Sequence, residues 1–259
     1  MREFWFEGES VRLYAVEDGN GPVIVMLHGG MANHLAALPL IAPLSPRYRV
    51  VAPDLRGSGR SLSAAPLSFA RLGRDIELLL DHLGAKRAVV GGISSGSGIA
   101  LCFALRHPDR TAGLVVVKPI YAGTERGYSA EQKATFTMMD AVAGRALAEG
   151  VQALRPLYAN LPPATRDKAL AMLEGFDAAS VLATSHFIAS GAQPFASGAD
   201  LRALRVPTLL VRGDDVMHPA EVADLYAANI PNCTVAEAST TDIAAAIGAF
   251  CEQCIHGCE

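Results

Sequence analysis

The sequence predicts an α/β protein: a mostly parallel sheet covered by helices on both faces, with a helical segment inserted late in the chain. Three observations carry this. Short apolar, β-branched runs alternate with helix-like stretches over most of the 259 residues, as strands buried on both faces do. One such run, Ala88-Val89-Val90, passes through Gly91-Gly92-Ile93-Ser94-Ser95-Gly96 into helix-like residues from Ile99 to Leu105 without another break. Residues 121–200 then lose the strand pattern and become rich in Ala, Leu and Met.

Taken in order, Phe4-Trp5-Phe6 and Val11 to Val16 alternate as two strands, with Glu7 to Ser10 as the turn. Val23 to Leu27 is a continuous buried strand ending at His28-Gly29-Gly30. Residues 35–45 read as a helix interrupted by Pro39 and Pro43. Arg49 to Pro53 is a strand, followed by Asp54-Leu55-Arg56-Gly57-Ser58-Gly59-Arg60-Ser61. Residues 68–83 form an amphipathic helix stopped by Gly84. His107-Pro108-Asp109 ends the helix after Ser94, and Leu114 to Val117 is the next strand. Helices broken at Gly127, Gly150, Pro156, Pro162-Pro163 and Gly175 follow. Val206 to Val211 restores the strand pattern, and Ala220 to Asn229 is a helix. Asn232 to Ala236 is the last strand and Asp242 to Cys254 the last helix.

The stretch around Ser94 carries the chemistry. A serine at a sharp strand-to-helix turn sits in a strained backbone, so residues two positions to either side must be small; Gly92 and Gly96 meet that need. The Ser95 N–H, at the positive end of the helix, points into the same space and can hold a developing oxyanion. The bland reading is a glycine-rich turn packed closely for structural reasons.

These pieces together resemble the α/β-hydrolase superfamily over essentially the whole chain. They stand in the family's order: the strand ending in His28-Gly29-Gly30, the Asp54 to Ser61 segment, the Ser94 turn, the helical insertion, and the strand running into Gly213-Asp214-Asp215. The resemblance implies an eight-stranded sheet, with a core of residues 1–119 and 201–259 and a helical cap of residues 120–200. It implies Ser94 as nucleophile, the N–H groups of Gly30 and Ser95 as oxyanion hole, and a structural role for His28. Asp214 and Asp215 both qualify as the triad acid. Asp215 is preferred for its distance to Pro219, and the alternative for either is a helix N-cap.

The chain departs from the family at the base. The triad histidine belongs in the loop after the last strand, and that loop, Glu237-Ala238-Ser239-Thr240-Thr241-Asp242, contains none. A serine hydroxyl without a base is a poor nucleophile at neutral pH. Of the seven histidines, His82, His107 and His256 read as surface, capping or tail residues. His218, three residues after Asp215, keeps the family's chain order and is carried forward as the base. His34 and His186 are weaker claimants, carried as substrate-binding residues, and a site with no histidine base stays open.

The formal net charge of −4, with no basic stripe, argues against nucleic acid as partner. The charged N-terminus has no signal-peptide core, and no apolar run reaches bilayer length. Five cysteines in a chain this long do not suggest a secreted disulfide framework, so a cytoplasmic location is expected. Cys251 and Cys254 fall on the apolar face of the last helix, where burial as small hydrophobes is the expectation over metal binding. The function expected is acyl hydrolysis or transfer by Ser94 on a small apolar ester, thioester or lactone. No metal or organic cofactor is expected, and the partner is a small molecule, with a homodimer as the allowed assembly. The alternatives are a cofactor-independent lyase, dehydratase or cyclase on the same fold, and a non-catalytic ligand-binding member.

Overall fold

The computed structural model describes residues 1–237 and 242–256. Its strands are β1 (Arg2–Gly8), β2 (Val11–Asp18), β3 (Val23–Leu27), β4 (Arg49–Pro53), β5 (Ala88–Ile93), β6 (Thr111–Val117), β7 (Thr208–Val211) and β8 (Cys233–Ala236). They form one sheet in the order β1-β2-β4-β3-β5-β6-β7-β8. β1 pairs antiparallel with β2, and β2 with β4; every pairing from β4 across to β8 is parallel. The helices are α1 (His34–Ile41), α2 (Phe69–His82), α3 (Ser95–Arg106), α4 (Ala130–Glu149), α5 (Pro163–Leu173), α6 (Ala178–Ala189), α7 (Gly198–Ala203), α8 (Ala220–Asn229) and α9 (Ile243–His256). None of the described helices is long and apolar enough to cross a membrane.

The two-residue period of the strands sorts the core into two layers. Val25, Val90, Leu114, Val116 and Leu210 face one side, where Leu79 of α2, Phe103 of α3 and Tyr226 of α8 pack. Ile24, Met26, Val89, Val115 and Leu209 face the other, against Ile41 of α1 and Ile247 and Phe250 of α9. Cys251 is buried in that second layer, and burial pushes its thiol up to about 12. It is therefore a small hydrophobe at neutral pH. Cys258 lies outside the described residues.

Two local expectations are corrected. β1 and β2 stay paired to Gly8↔Val11, so the turn shrinks to Glu9 and Ser10, with Ser10 at φ 60°. α1 runs through Pro39 to Ile41 and breaks only at the 3-10 turn Ala42–Leu44. Pro39 forfeits the bond its N–H would give to the Leu35 carbonyl. Burial of Ala37, Leu38 and Ile41 against the sheet carries the helix past it.

Between β6 and β7 the chain builds α4 to α7. Val142, Ala143 and Ala146 of α4, Leu173 of α5 and Val181 of α6 make a third apolar cluster, joined by Met31 from the loop after β3. Side-chain hydrogen bonds fasten α6 to the segment after β4: Thr184 Oγ1 donates to the Gly57 carbonyl (3.0 Å), and Ser180 Oγ accepts from the Ser63 N–H (3.0 Å).

Candidate active site

The β5–α3 turn is shaped by what its glycines exclude. A Cβ on Gly92 would lie 2.2 Å from the Gly96 carbonyl carbon, and one on Gly96 would lie 2.3 Å from the His28 carbonyl oxygen. Neither atom can retreat, because both belong to backbone. Between them Ser94 adopts φ 54°, ψ −120°, a strained conformation for a residue with a side chain. Its N–H still extends the β5–β6 ladder, donating to the Val117 carbonyl at 2.9 Å. A serine preceding a helix ordinarily turns its hydroxyl back to cap it. Here the Ser94 hydroxyl caps nothing and points outward, while Ser97 Oγ donates to the Ser94 carbonyl at 2.6 Å.

Ser94 Oγ lies 3.0 Å from Nε2 of His218. The other ring nitrogen, Nδ1, lies 2.7 and 2.9 Å from the two carboxylate oxygens of Asp215. Hydrogen bonds fix the tautomer: Nδ1–H donates to the carboxylate, leaving the Nε2 lone pair toward the serine. Asp215 Oδ1 also accepts the N–H groups of Met217 (3.0 Å) and His218 (3.1 Å). The hydrogen bond from His218 is the main reason that the Asp215 carboxyl falls to about 2, partial burial opposing it. Carboxylate and imidazole thus come from one turn, three residues apart. Asp214 lies outside this constellation, lining an open cleft of about 460 Å³ with Lys118, Arg212 and Glu237. Of the loop from Glu237 to Asp242, where the resemblance places a histidine, residues 238–241 lie outside the described residues.

Gly30 and Ser95 stand next to one another beside the serine turn. A Cβ on Gly30 would come within 2.5 Å of Ile188 Cδ1 and 3.5 Å of Ser95 Oγ, so the Gly30 backbone, the first residue of α3 and an α6 side chain meet at one point. Ser95 N–H opens α3 and has no helical carbonyl to bond. A cavity of about 20 Å³, near the size that holds one water, is lined there by Gly30, Ser95, Leu67, Phe187 and Ile188. Leu67 and Phe187 also line a larger apolar cleft of about 460 Å³, with Leu147, Leu182, Ala183 and His186.

The remaining histidines are placed elsewhere. His28 is fully buried; its Nδ1 donates to the Gly29 carbonyl (2.7 Å), its Nε2 accepts from the Leu55 N–H (3.0 Å), and burial lowers its pKa. It holds the loop, neutral. His34 Nδ1 sits 2.7 Å from the buried Asp54 carboxylate, which also accepts the His34 and Arg60 N–H groups. His186 is an exposed residue of the large cleft, with Nδ1 3.4 Å from Asp140. Among the histidines, His218 alone is hydrogen-bonded to Ser94 among the described residues. Sequence reasoning passed over Gln132, whose only signal was the Ser129-x-x-Gln132 capping pattern at the start of α4.

The comparisons with known proteins agree with this architecture. A family model described as the alpha/beta hydrolase fold matches residues 22–242. The RutD protein of Caulobacter sp. (strain K31), whose name proposes carbamate hydrolysis, is 31% identical over 209 residues, 76% of this chain and 74% of its own. Haloalkane dehalogenase 2 of Mycobacterium bovis is 34% identical over 116 residues, but that match spans 43% of this chain and only 40% of the relative's length. A thermophilic esterase from Thermogutta terrifontis superposes with a TM-score of 0.79 at 23% identity, covering 98% of this chain and 99% of its own, and so shares the fold. With the sheet order, the serine turn and a family match over most of its length, the chain belongs to the α/β-hydrolase family.

Proposed function

We propose that this enzyme is a serine-dependent acyl hydrolase or transferase whose base comes from an atypical position. Ser94 is the nucleophile, His218 the general base and Asp215 the acid. Gly30 and Ser95 supply the oxyanion-hole N–H groups. The observation that carries the reading is the chain of hydrogen bonds Ser94 Oγ···His218 Nε2 and His218 Nδ1···Asp215. In acylation Ser94 Oγ bonds to the substrate carbonyl carbon while its proton passes to His218 Nε2. The carbonyl oxygen takes the negative charge, against the two N–H groups and the N-terminus of α3. The bond to the leaving oxygen, or to sulfur in a thioester, then breaks and takes the proton from His218. Water activated by the same imidazole, or a second alcohol, releases the acyl group and restores the serine.

The small cavity beside Gly30 and Ser95, and the apolar cleft beyond Leu67 and Phe187, support a small, apolar substrate. Helices α4 to α7 act as a cap over the sheet's edge of chemistry, with His186 at the outer rim of that cleft; His34 holds Asp54. With His218 beside Ser94, the motive for a lyase-type mechanism, a missing base, loses its force. The test is intact-mass and peptide mapping after treatment with a fluorophosphonate. A single adduct on Ser94 that is lost in Ser94→Ala and slowed in His218→Ala is expected. An unlabelled protein, or labelling at Ser95 or Ser97, overturns the assignment.

A further inference from the structure

The turn that carries both Asp215 and His218 is gripped from outside by one buried amide. Gln132, in the first turn of α4, is 1% exposed, and its carboxamide is spent completely. Oε1 accepts the Ser129 N–H at 3.0 Å. The two Nε2 hydrogens go to the carbonyls of Ile120, just past β6, at 3.0 Å, and of Met217 at 2.9 Å. Met217 directly precedes His218, so its carbonyl belongs to the peptide plane whose N–H enters Asp215.

Apart from that bond and the His218 imidazole's contact with Ser94, the hydrogen bonds of the turn among the described residues are its own. The Asp215 side chain is 45% exposed. Water reaches it from a cleft of about 450 Å³ that Gln132, Tyr128 and Val222 also line, and from the polar cleft beside Lys118 and Arg212. An Asp-based turn open to solvent on both sides can exchange its internal hydrogen bonds for water. The Gln132 amide is nearly fully buried, and each of its Nε2 hydrogens already has a carbonyl partner.

We propose that Gln132 is a positioning residue for the base: by fixing the Met217 carbonyl it sets the orientation of the His218 imidazole toward Ser94. The proposal rests on His218 serving as the base in the function given above. It makes the first turn of α4, a helix that precedes β7, part of what aligns the site.

The competing account is that Gln132 only caps α4, and two kinds of variant separate them. Gln132→Glu keeps an oxygen for the Ser129 N–H but has no Nε2 hydrogens; Gln132→Met keeps the length and shape without burying a charge. Ser129→Ala removes the hydroxyl that accepts the Gln132 N–H and leaves the Met217 bond alone. The first readout is the pair of imidazole 15N shifts of His218, which report its tautomer whether or not the protein turns over. The second is the rate of Ser94 labelling by a fluorophosphonate, separated into kinact and KI. Expected are a mixed tautomer and a kinact lowered by about tenfold or more in both Gln132 variants, with KI unchanged. Ser129→Ala should lower Tm yet keep the wild-type tautomer and kinact. Gln132 variants with a wild-type tautomer and kinact overturn the proposal, as does Ser129→Ala reproducing their losses. If the wild-type protein takes no label while the His218 tautomer still depends on Gln132, the serine-hydrolase reading falls and the positioning of His218 by Gln132 stands.

Discussion

The carboxylate of Asp215 receives Nδ1 of His218 at 2.7 Å and, through the same oxygen, the His218 backbone N–H at 3.1 Å. One side chain therefore both builds the turn and orients the imidazole it presents. Those two duties can be separated. Asp215→Asn retains an oxygen for the backbone N–H groups but loses the charge and can favour the wrong tautomer. It should keep Tm close to wild type and lower kcat/KM about a hundred- to ten-thousand-fold. Asp215→Ala should lose the turn as well, adding a drop in Tm. An active Asp215→Asn protein would move the acid to another residue, Asp214 first.

The lowered carboxyl of Asp215 also predicts an acid-side signature. Its folded value, about 2, lies below the ordinary 3.8, so the pair stabilises the fold fully above about pH 4 and loses that contribution as pH falls toward 2. The difference in Tm between wild type and Asp215→Ala should therefore be constant at neutral pH and narrow between about pH 4 and pH 2. A difference that widens on acidification contradicts the pairing.

How much of this was legible in the sequence depends on the range of the interaction. β3, β5 and β6 follow from short continuous apolar runs, as strands buried on both faces do, and the Ser94 turn from two glycines whose spacing answers a local steric demand. The proposed base is different. His218 meets Ser94 across a separation of 124 residues, through a turn whose direction is set by the Asp215 carboxylate and a Gln132 bond from α4. No periodicity encodes that meeting, and the family's order pointed to a loop without a histidine. Pro39 shows the opposite failure, a strong local signal overruled by burial of Ala37, Leu38 and Ile41.

The glycine spacing itself is testable. Gly96→Ala places a Cβ 2.3 Å from the His28 carbonyl and 3.0 Å from the Leu27 carbonyl, backbone atoms at the end of β3 and the start of the loop that presents Gly30. The turn can accept it only by shifting, at a cost of about 1–3 kcal/mol or more. A Tm lowered by several degrees together with slowed Ser94 labelling is expected, whereas Gly144→Ala in α4, where a Cβ meets nothing within 4 Å, should leave labelling unchanged and hold or raise Tm. A fully active, undestabilised Gly96→Ala protein would mean that the turn is not the constraint it looks to be.

Ile188 Cδ1 fills the space a Gly30 side chain would take, and the cavity left beside Ser95 is only about 20 Å³. The apolar cleft of about 460 Å³ lies beyond Leu67 and Phe187, which line both spaces. The inner cavity has room for about the methyl of an acetyl group, and a longer acyl chain must displace Ile188 or Phe187 to reach the outer cleft. Wild type should then prefer p-nitrophenyl acetate to the butyrate and hexanoate. Removing one methyl in Ile188→Val makes room for about one CH₂ group, worth up to about 0.8 kcal/mol or fourfold in kcat/KM, at a stability cost of about 0.5–1.5 kcal/mol. Phe187→Leu should extend the gain to hexanoate by joining the two spaces. The kcat/KM ratio of butyrate to acetate across the three proteins decides it: a ratio unmoved by either substitution would place the acyl chain on the opposite side of Ser94, toward Tyr128 and the cleft beside Asp215.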